Sequence, residues 1–394
     1  MGSQAFRGGA LAAVSAITVV AGATVALLAS GGQSVERTPG ATSGSSRPQT
    51  PAAPNPATGT IAFARHAGGG MFGDASGPVV AVTPDGAVVG HLPLHRTCCL
   101  TPSIATSRFA VLVAGAGPLR LVSIGGGFTS PIPLPTGHTT LRLTPGAWSP
   151  NGEVLAMAGV DAARPARDGV YSMSVSGRNL RRLTTAPRGR PQRPLAYSPD
   201  GRSLLLFQRD RGGRFGTLYL TRGDGRLTRV SSPGAVTCCY FGSPASWSPD
   251  GRSIAFTAFT RRPGVPPGLS VVLVASANGS HAHRITDPGE WTTSAMWSPS
   301  GDWIAFDKAA SGAFHSVFLM HPDGSDLHMV DPAPTATGSC CAQWSPDGSY
   351  LVYEHVEQNS DSHVALYVVN VAGPAHRRRI TSADGSYMSF GWVP

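Results

Sequence analysis

A pentapeptide returns five times along this chain at a nearly fixed interval. Trp148-Ser-Pro-Asn-Gly152, Tyr197-Ser-Pro-Asp-Gly201, Trp247-Ser-Pro-Asp-Gly251, Trp297-Ser-Pro-Ser-Gly301 and Trp344-Ser-Pro-Asp-Gly348 are spaced by 49, 50, 50 and 47 residues. Proline pre-sets φ at the first central position of a β-turn, Asp suits the second, and Gly tolerates the positive φ that follows. Each copy is therefore a hairpin turn. A short apolar strand follows each one (VLAMAG, LLLFQ, IAFTAF, IAFDK, LVYEH), and then a second strand, another turn and a third strand. With the strand that leads into the turn, each unit has four strands. A four-stranded unit repeated every 40–50 residues cannot bury its faces alone and stacks against its neighbours as a propeller blade. The aromatic ahead of each turn is a large anchor for packing between adjacent sheets.

Composition agrees with this all-β reading. Gly and Pro supply 49 and 34 of the 394 residues. Both disfavour helix interiors and favour turns, which excludes a helical bundle or coiled coil.

The repeated elements resemble the TolB-type, WD40-like propeller repeat (PD40). The resemblance covers roughly residues 59–394 and is most specific over 140–381. Upstream the pattern thins: Thr60-Ile-Ala-Phe-Ala64 matches a second strand, Val79–Gly86 a third strand with its turn, and Arg108–Val113 another second strand. The chain closes on Trp392-Val-Pro394, a Trp-Ser-Pro-like remnant with no second strand after it; the missing strand is Ile61-Ala-Phe63. The last segment is thus expected to supply the innermost strand of the first blade and so hide the open edges. Blade starts near 386/59, 98, 141, 192, 238, 290 and 340 give a seven-bladed β-propeller, with six or eight as the neighbouring counts.

Ahead of the blades, Gly8 to Val35 contains 28 residues without a formal charge, flanked by Arg7, Glu36 and Arg37. About 20 such residues cross a hydrocarbon core. Residues 1–30 are read as a hydrophobic helix, either a signal anchor or a cleaved signal peptide. Residues 31–58, rich in Pro, Ser, Thr and Gly, are read as a disordered linker, and 59–394 as the propeller. The expected location is the cell membrane, single-pass with the propeller extracytoplasmic, or secretion if the signal is cleaved.

The functional expectations rest on the face opposite the Ser-Pro-Asp-Gly turns. Loops in and between blades 3–5 carry Arg164, Arg167, Arg188, Arg190, Arg193, Arg209, Arg211, Arg214, Arg261 and Arg262. Ten arginines against Asp161, Asp168 and Asp210 leave +7 of the chain's +9 net charge. Blade 7's equivalent loop carries Glu354, Glu357 and Asp361. A one-sided basic arc suits an anionic partner: an anionic cell-envelope polymer or a protein, not nucleic acid, with the chain a monomer.

All six cysteines come as adjacent pairs, Cys98-Cys99, Cys238-Cys239 and Cys340-Cys341, expected in inter-blade loops around one channel mouth. Three readings stand: structural bridges within or between pairs, a redox-labile vicinal disulfide, or a thiolate metal site. Adjacent Cα atoms lie about 3.8 Å apart, below the usual disulfide range, so a vicinal bridge would be strained. No metal ligand set and no cofactor is assigned. His66 and His355, at matching strand ends, are read as solvent-exposed. No G-x-S-x-G, H-E-x-x-H or Walker loop occurs, and no hydrolase-sized segment follows the blades. The leading expectation is a non-catalytic extracytoplasmic binding or scaffold propeller. The alternative is a metal- or redox-dependent, lyase-like enzyme at the channel mouth near the cysteine pairs.

Overall fold

Each Trp-Ser-Pro-Asp-Gly copy folds as the turn chemistry requires. In the blade 4 copy the Gly201 amide donates to the Ser198 carbonyl at 2.8 Å, and Gly201 takes φ +71°. The Ser198 hydroxyl donates to Asp200 at 2.5 Å and accepts the Ser203 amide at 2.9 Å, tying both ends of the hairpin to one side chain. The turns also interlock. A Cβ on Gly201, Gly251 or Gly348 would sit 3.5, 3.5 or 3.3 Å from the proline of the preceding blade's turn (Pro150, Pro199 and Pro299).

The computed structural model describes residues 58–394 except 67–78, 93–96, 104, 107, 114–118, 124–126, 133–139, 212–214, 233–234, 239–244, 261–268, 289–290, 310–314, 331–337, 357–363, 374–376 and 383–385. The hydrophobic run and the linker expected over 1–58 lie almost wholly outside the described residues. Among those described, no helix is long and apolar enough to cross a membrane.

Seven blades follow in order. Blade 1 holds β1 (Thr60–His66), β2 (Val79–Val82) and β3 (Val88–Leu92). Blade 2 holds β4 (Thr97–Pro102), β5 (Arg108–Val113), β6 (Leu119–Ser123) and β7 (Gly127–Pro131). Blade 3 holds β8 (Leu141–Trp148), β9 (Val154–Asp161), β10 (Gly169–Ser174) and β11 (Arg181–Arg182), with a 3-10 turn at Pro165–Arg167. Blade 4 holds β12 (Gln192–Tyr197), β13 (Leu204–Arg209), β14 (Phe215–Thr221) and β15 (Thr228–Arg229). Blade 5 holds β16 (Ala235–Cys238), β17 (Ala245–Trp247), β18 (Ser253–Thr260), β19 (Ser270–Ser276) and β20 (His283–Arg284). Blade 6 holds β21 (Trp291–Trp297), β22 (Ile304–Ala309), β23 (Ser316–Met320) and β24 (His328–Met329). Blade 7 holds β25 (Gly338–Trp344), β26 (Tyr350–Val356), β27 (Val364–Asn370) and β28 (Arg378–Arg379). The last strand, β29 (Ser386–Val393), returns to blade 1 and pairs antiparallel with β1, Ile61 opposite Trp392.

The expected closure is therefore present, and the ring is complete. Each innermost strand touches the next, from β29 through β4, β8, β12, β17, β21 and β25 back to β29. Between blades lie apolar layers, such as Ala305, Leu319, Leu351 and Tyr353 between blades 6 and 7. The repeated tryptophans do more than fill these layers. Trp148, Trp247 and Trp344 donate their indole N–H to the carbonyls of Thr101, Ala196 and Met296 in the preceding blade, at 2.9, 3.3 and 3.3 Å. Trp392 closes the circle on the Thr58 carbonyl at 2.9 Å.

One departure concerns the expectation of separate four-stranded blades. β16 pairs both with β18 of its own blade and with β14 of blade 4, merging blades 4 and 5 into one nine-stranded sheet. β15 covers only Tyr219 and Leu220 of β14, so Phe215 and Gly216 remain available to Cys238 and Thr237.

Candidate functional site

Backbone bonds define the two faces. Val175, Ala277 and Val371, in third-to-fourth strand turns, donate to Glu153, Arg252 and Ser349 in the adjoining Ser-Pro-Asp-Gly hairpins. Both sets of turns share one face, and the second-to-third strand loops and inter-blade crossings occupy the other.

That loop face holds the arginine arc. In blade 3 the loop is built around Asp161, which is fully buried. Its carboxylate accepts the Ala163 and Arg164 amides and the Thr140 hydroxyl at 3.0–3.1 Å. Arg167 lies 3.7 Å from the same carboxylate, while Asp168 accepts the Asp161 amide at 2.8 Å. In blade 4, Arg190 pairs with Asp210 at 3.2 Å. Such a partly exposed pair contributes at most about 1 kcal/mol, but it neutralises the acid. The three aspartates are thus engaged locally. Arg164, Arg188, Arg193, Arg209 and Arg211 remain exposed, the last four around the loop end of blade 4. Arg214, Arg261 and Arg262 lie outside the described residues.

The cysteine pairs require a correction. They do not sit in inter-blade loops. Cys340 and Cys341 lie within β25, Cys98 and Cys99 within β4, and Cys238 ends β16. A β-bulge explains the misreading: the ladder breaks between Cys340 and Gln343, and likewise between Cys98 and Thr101, then resumes beyond the bulge. Cys340 is opposite Glu354, and Cys98 is opposite Leu112. The pairs therefore hold equivalent backbone positions in blades 2 and 7, and Cys238 reaches the same level in blade 5. Cys239 lies outside the described residues. Cys340 and Cys341 are not bridged to each other, one of the pairings left open above. Both are free thiols, with Sγ atoms 2.8 Å apart.

Glu354 is corrected with them. It is not a loop acid but a residue of β26, inside the sheet, with Oε2 3.9 Å from Cys340 Sγ. Glu357 and Asp361 lie outside the described residues. His355 is buried rather than exposed, its Nδ1 2.8 Å from the Ser339 hydroxyl. His66 ends β1, as expected of a strand end.

A second acid, which the sequence reading overlooked, completes this cluster. Asp307, from β22 of blade 6, is buried and reaches across to blade 7, where the Cys341 amide donates to both its carboxylate oxygens at 3.1 and 3.2 Å. Thr293 donates to the same carboxylate at 3.1 Å. Burial raises Asp307 to about 7 despite the bonds from Cys341, Ser294 and Thr293. Burial and then the nearby Asp307 carboxylate raise Glu354 to about 8. Contact with Cys340, together with burial and Glu354, holds the Cys341 thiol well above its ordinary value. For Cys340 the contact with Cys341 acts downward, but burial, Glu354 and Asp307 outweigh it and the thiol is raised. Two thiols and two carboxyls thus share an enclosed space. Cys340, Cys341 and Glu354 place one donor atom each within 4.8 Å of one another. The available signal in the sequence was an acid in the middle of an apolar second strand, IAFDK and LVYEH, where blades 2 to 5 carry none.

A cleft of about 320 Å³ opens between blades 3 and 4 around Tyr197, with Arg181, Arg202 and Arg222 on its walls. Burial pushes the Tyr197 phenol up to about 12, so it stays neutral. Tyr stands here where blades 3, 5, 6 and 7 have Trp.

Neither a family model nor a curated protein matches the chain. Solved structures share its architecture. A puromycin hydrolase superposes with a TM-score of 0.61 at 16% identity, over 84% of this chain and 53% of its own. An oligogalacturonate lyase from Vibrio parahaemolyticus gives 0.53 at 13% identity, over 82% and 86%. TolB from Acinetobacter baumannii gives 0.49 at 17% identity, over 85% and 67%. For the first two, at these identities, the likeness is one of fold, the propeller that the repeats implied.

Proposed function

We propose that the chain is a non-catalytic binding propeller that presents the loop face of blades 3 and 4 to an anionic polymer or an acidic protein surface, outside the cytoplasm and tethered through its N-terminal segment. The carrying observation is the exposed group Arg188, Arg193, Arg209 and Arg211 around one blade end, where the local acid Asp210 is already paired with Arg190. Guanidinium groups suit phosphate, sulfate and carboxylate through paired donors. Their backbone, on strand ends and loops of a closed ring, is already ordered, so binding costs side-chain freedom alone.

The test uses the full chain and a teichoic-type polyphosphate polymer. Affinity should fall steeply as salt shortens the screening length from about 10 Å at 0.1 M towards 3 Å at 1 M. Reversing Arg188, Arg193 and Arg211 to Glu should weaken binding at least about tenfold. Reversing Arg226, Arg252 and Arg284, on the turn face and outer rim, should change little. Equal losses from the two triple variants, or binding insensitive to salt, would remove the proposal.

A further inference from the structure

We propose that Cys340, Cys341 and Glu354, positioned by Asp307, form a binding site for one borderline-soft divalent metal ion of the zinc class. The molecule contains its own comparison. Blade 6 carries the same bulge with Thr293 and Ser294 where blade 7 has Cys340 and Cys341. Ser294 and Cys341 share the left-handed backbone, φ +59° and +62°. Asp307 stands where blade 7 has Glu354, since Thr293 faces Asp307 as Cys340 faces Glu354. In blade 6 the acid is satisfied by a hydroxyl donor, Thr293, at 3.1 Å. In blade 7 the donors are thiols, and the corresponding contact lengthens to 3.9 Å. A thiol is a weak hydrogen-bond donor but a strong metal ligand once its proton has left. Exchanging both hydroxyls for thiols opposite a retained carboxylate loses hydrogen bonding and gains an S₂O donor set.

The surroundings fit. Two thiolates and a carboxylate are a donor set for Zn²⁺ rather than Mg²⁺ or Ca²⁺. Tetrahedral coordination with Zn–S of about 2.3 Å would hold the sulfurs about 3.8 Å apart and each about 3.5 Å from the carboxylate oxygen. The present separations are 2.8 Å between the sulfurs and 3.9 Å from Cys340 Sγ to Glu354 Oε2, within an ångström or so of these values. On binding, Cys340 and Cys341 each lose a proton to solvent, and water completes the coordination. Asp307 is a positioning residue, since it grips the Cys341 amide and fixes the bulge. Cys340, Cys341 and Glu354 are each only partly buried as residues.

The experiment uses the full chain, reduced and stripped with a chelator, then titrated with Co²⁺ as a spectroscopic probe and with Zn²⁺ in competition. One equivalent should produce thiolate-to-cobalt charge transfer and tetrahedral visible bands, both displaced by Zn²⁺. Cys340→Ser and Cys341→Ser should each cut the charge-transfer band by about half or more, and the double variant should abolish it. Glu354→Gln should weaken binding about tenfold or more, and a Cys98→Ser, Cys99→Ser variant should retain the signal. A measurement on the unmodified chain guards against misfolded variants: Zn²⁺ should protect Cys340 and Cys341 from alkylation, read by peptide mass spectrometry. Charge transfer surviving in a Cys340→Ser, Cys341→Ser double variant, no charge transfer in the folded reduced protein, or equal alkylation with and without Zn²⁺ would overturn the assignment.

Discussion

Replacing Trp392 by Ala should damage this protein more than any comparable change on the surface of a blade. The indole is 2% exposed and packs among Ile61, Val82, Ile380 and Phe390 where blades 7 and 1 meet. A buried Trp removes roughly 150–250 Å² from water. At about 25 cal/mol/Å² that is about 4–6 kcal/mol, reduced by about a fifth for residual burial in the unfolded chain. The expected cost is then about 3–5 kcal/mol, in the range of large-to-small core substitutions. Over a ring of roughly 340 residues, with an unfolding entropy of about 2.1 cal/mol/K per residue, this lowers the melting temperature by about 4–7 °C. Trp392→Phe keeps most of the apolar area but loses the bond to the Thr58 carbonyl, costing about 1–2 kcal/mol. Trp291, 46% exposed on the innermost strand of blade 6, is the control, and its alanine variant should shift the midpoint by less than a third as much. Circular dichroism during heating and in urea measures all three. If Trp392→Ala melts within a degree of the native chain, or no lower than Trp291→Ala, the clasp does not hold the ring.

Two further outcomes follow from local geometry. Serine hydroxyl bonds lower the pKa of Asp200 and Asp250, and a threonine hydroxyl that of Asp85. Because the folded values lie below the unfolded one, these turns contribute stability that is complete above about pH 4 and is lost as pH falls through the lowered values. An Asp200→Asn, Asp250→Asn variant should flatten the acid limb of a melting-temperature profile between about pH 2 and 4; an unchanged limb would count against the turn network. Gly216→Ala would set a Cβ 2.1 Å from the Phe207 ring and 2.4 Å from the Gln208 carbonyl oxygen, and should cost about 1–3 kcal/mol in urea unfolding. Gly225→Ala meets no atom within 4 Å and carries only the strain of its φ of +83°, about 1–2 kcal/mol; the reverse ranking would contradict the packing described.

What the sequence showed and what it hid have one physical origin. Turn chemistry is residue-specific, so the Ser-Pro-Asp-Gly hairpins and the strands they join could be read directly. Arg108–Val113 is placed as a strand without any such turn, because its apolar run matches the second strands of the other units. The joining of the two chain ends was legible from a strand missing at each. Bulges leave little trace in sequence, because the residues they set out of register are as varied as Gly146, Leu195, Ser294 and Cys341. Reading Cys340-Cys341 as a loop therefore concealed the strand that carries them. The same error detached Glu354 from its sheet and left Asp307, in the neighbouring blade, without a reason to be noticed. Side chains brought together by a register shift and a blade interface become visible only when both are in place.

The pairing of Ile61 with Trp392 also bears on how the molecule is made. At about 5–20 residues per second, a ribosome needs roughly 17–66 s to deliver the second partner after the first. Throughout that interval the opening segment has an empty flank, open to any extended peptide nearby. Each nascent chain is then a target for its own sibling, since a neighbour's final segment fits that vacancy as well as its own does. Crowded polysomes should favour such exchanged pairs, and slower dilution of the newborn chains should raise their yield.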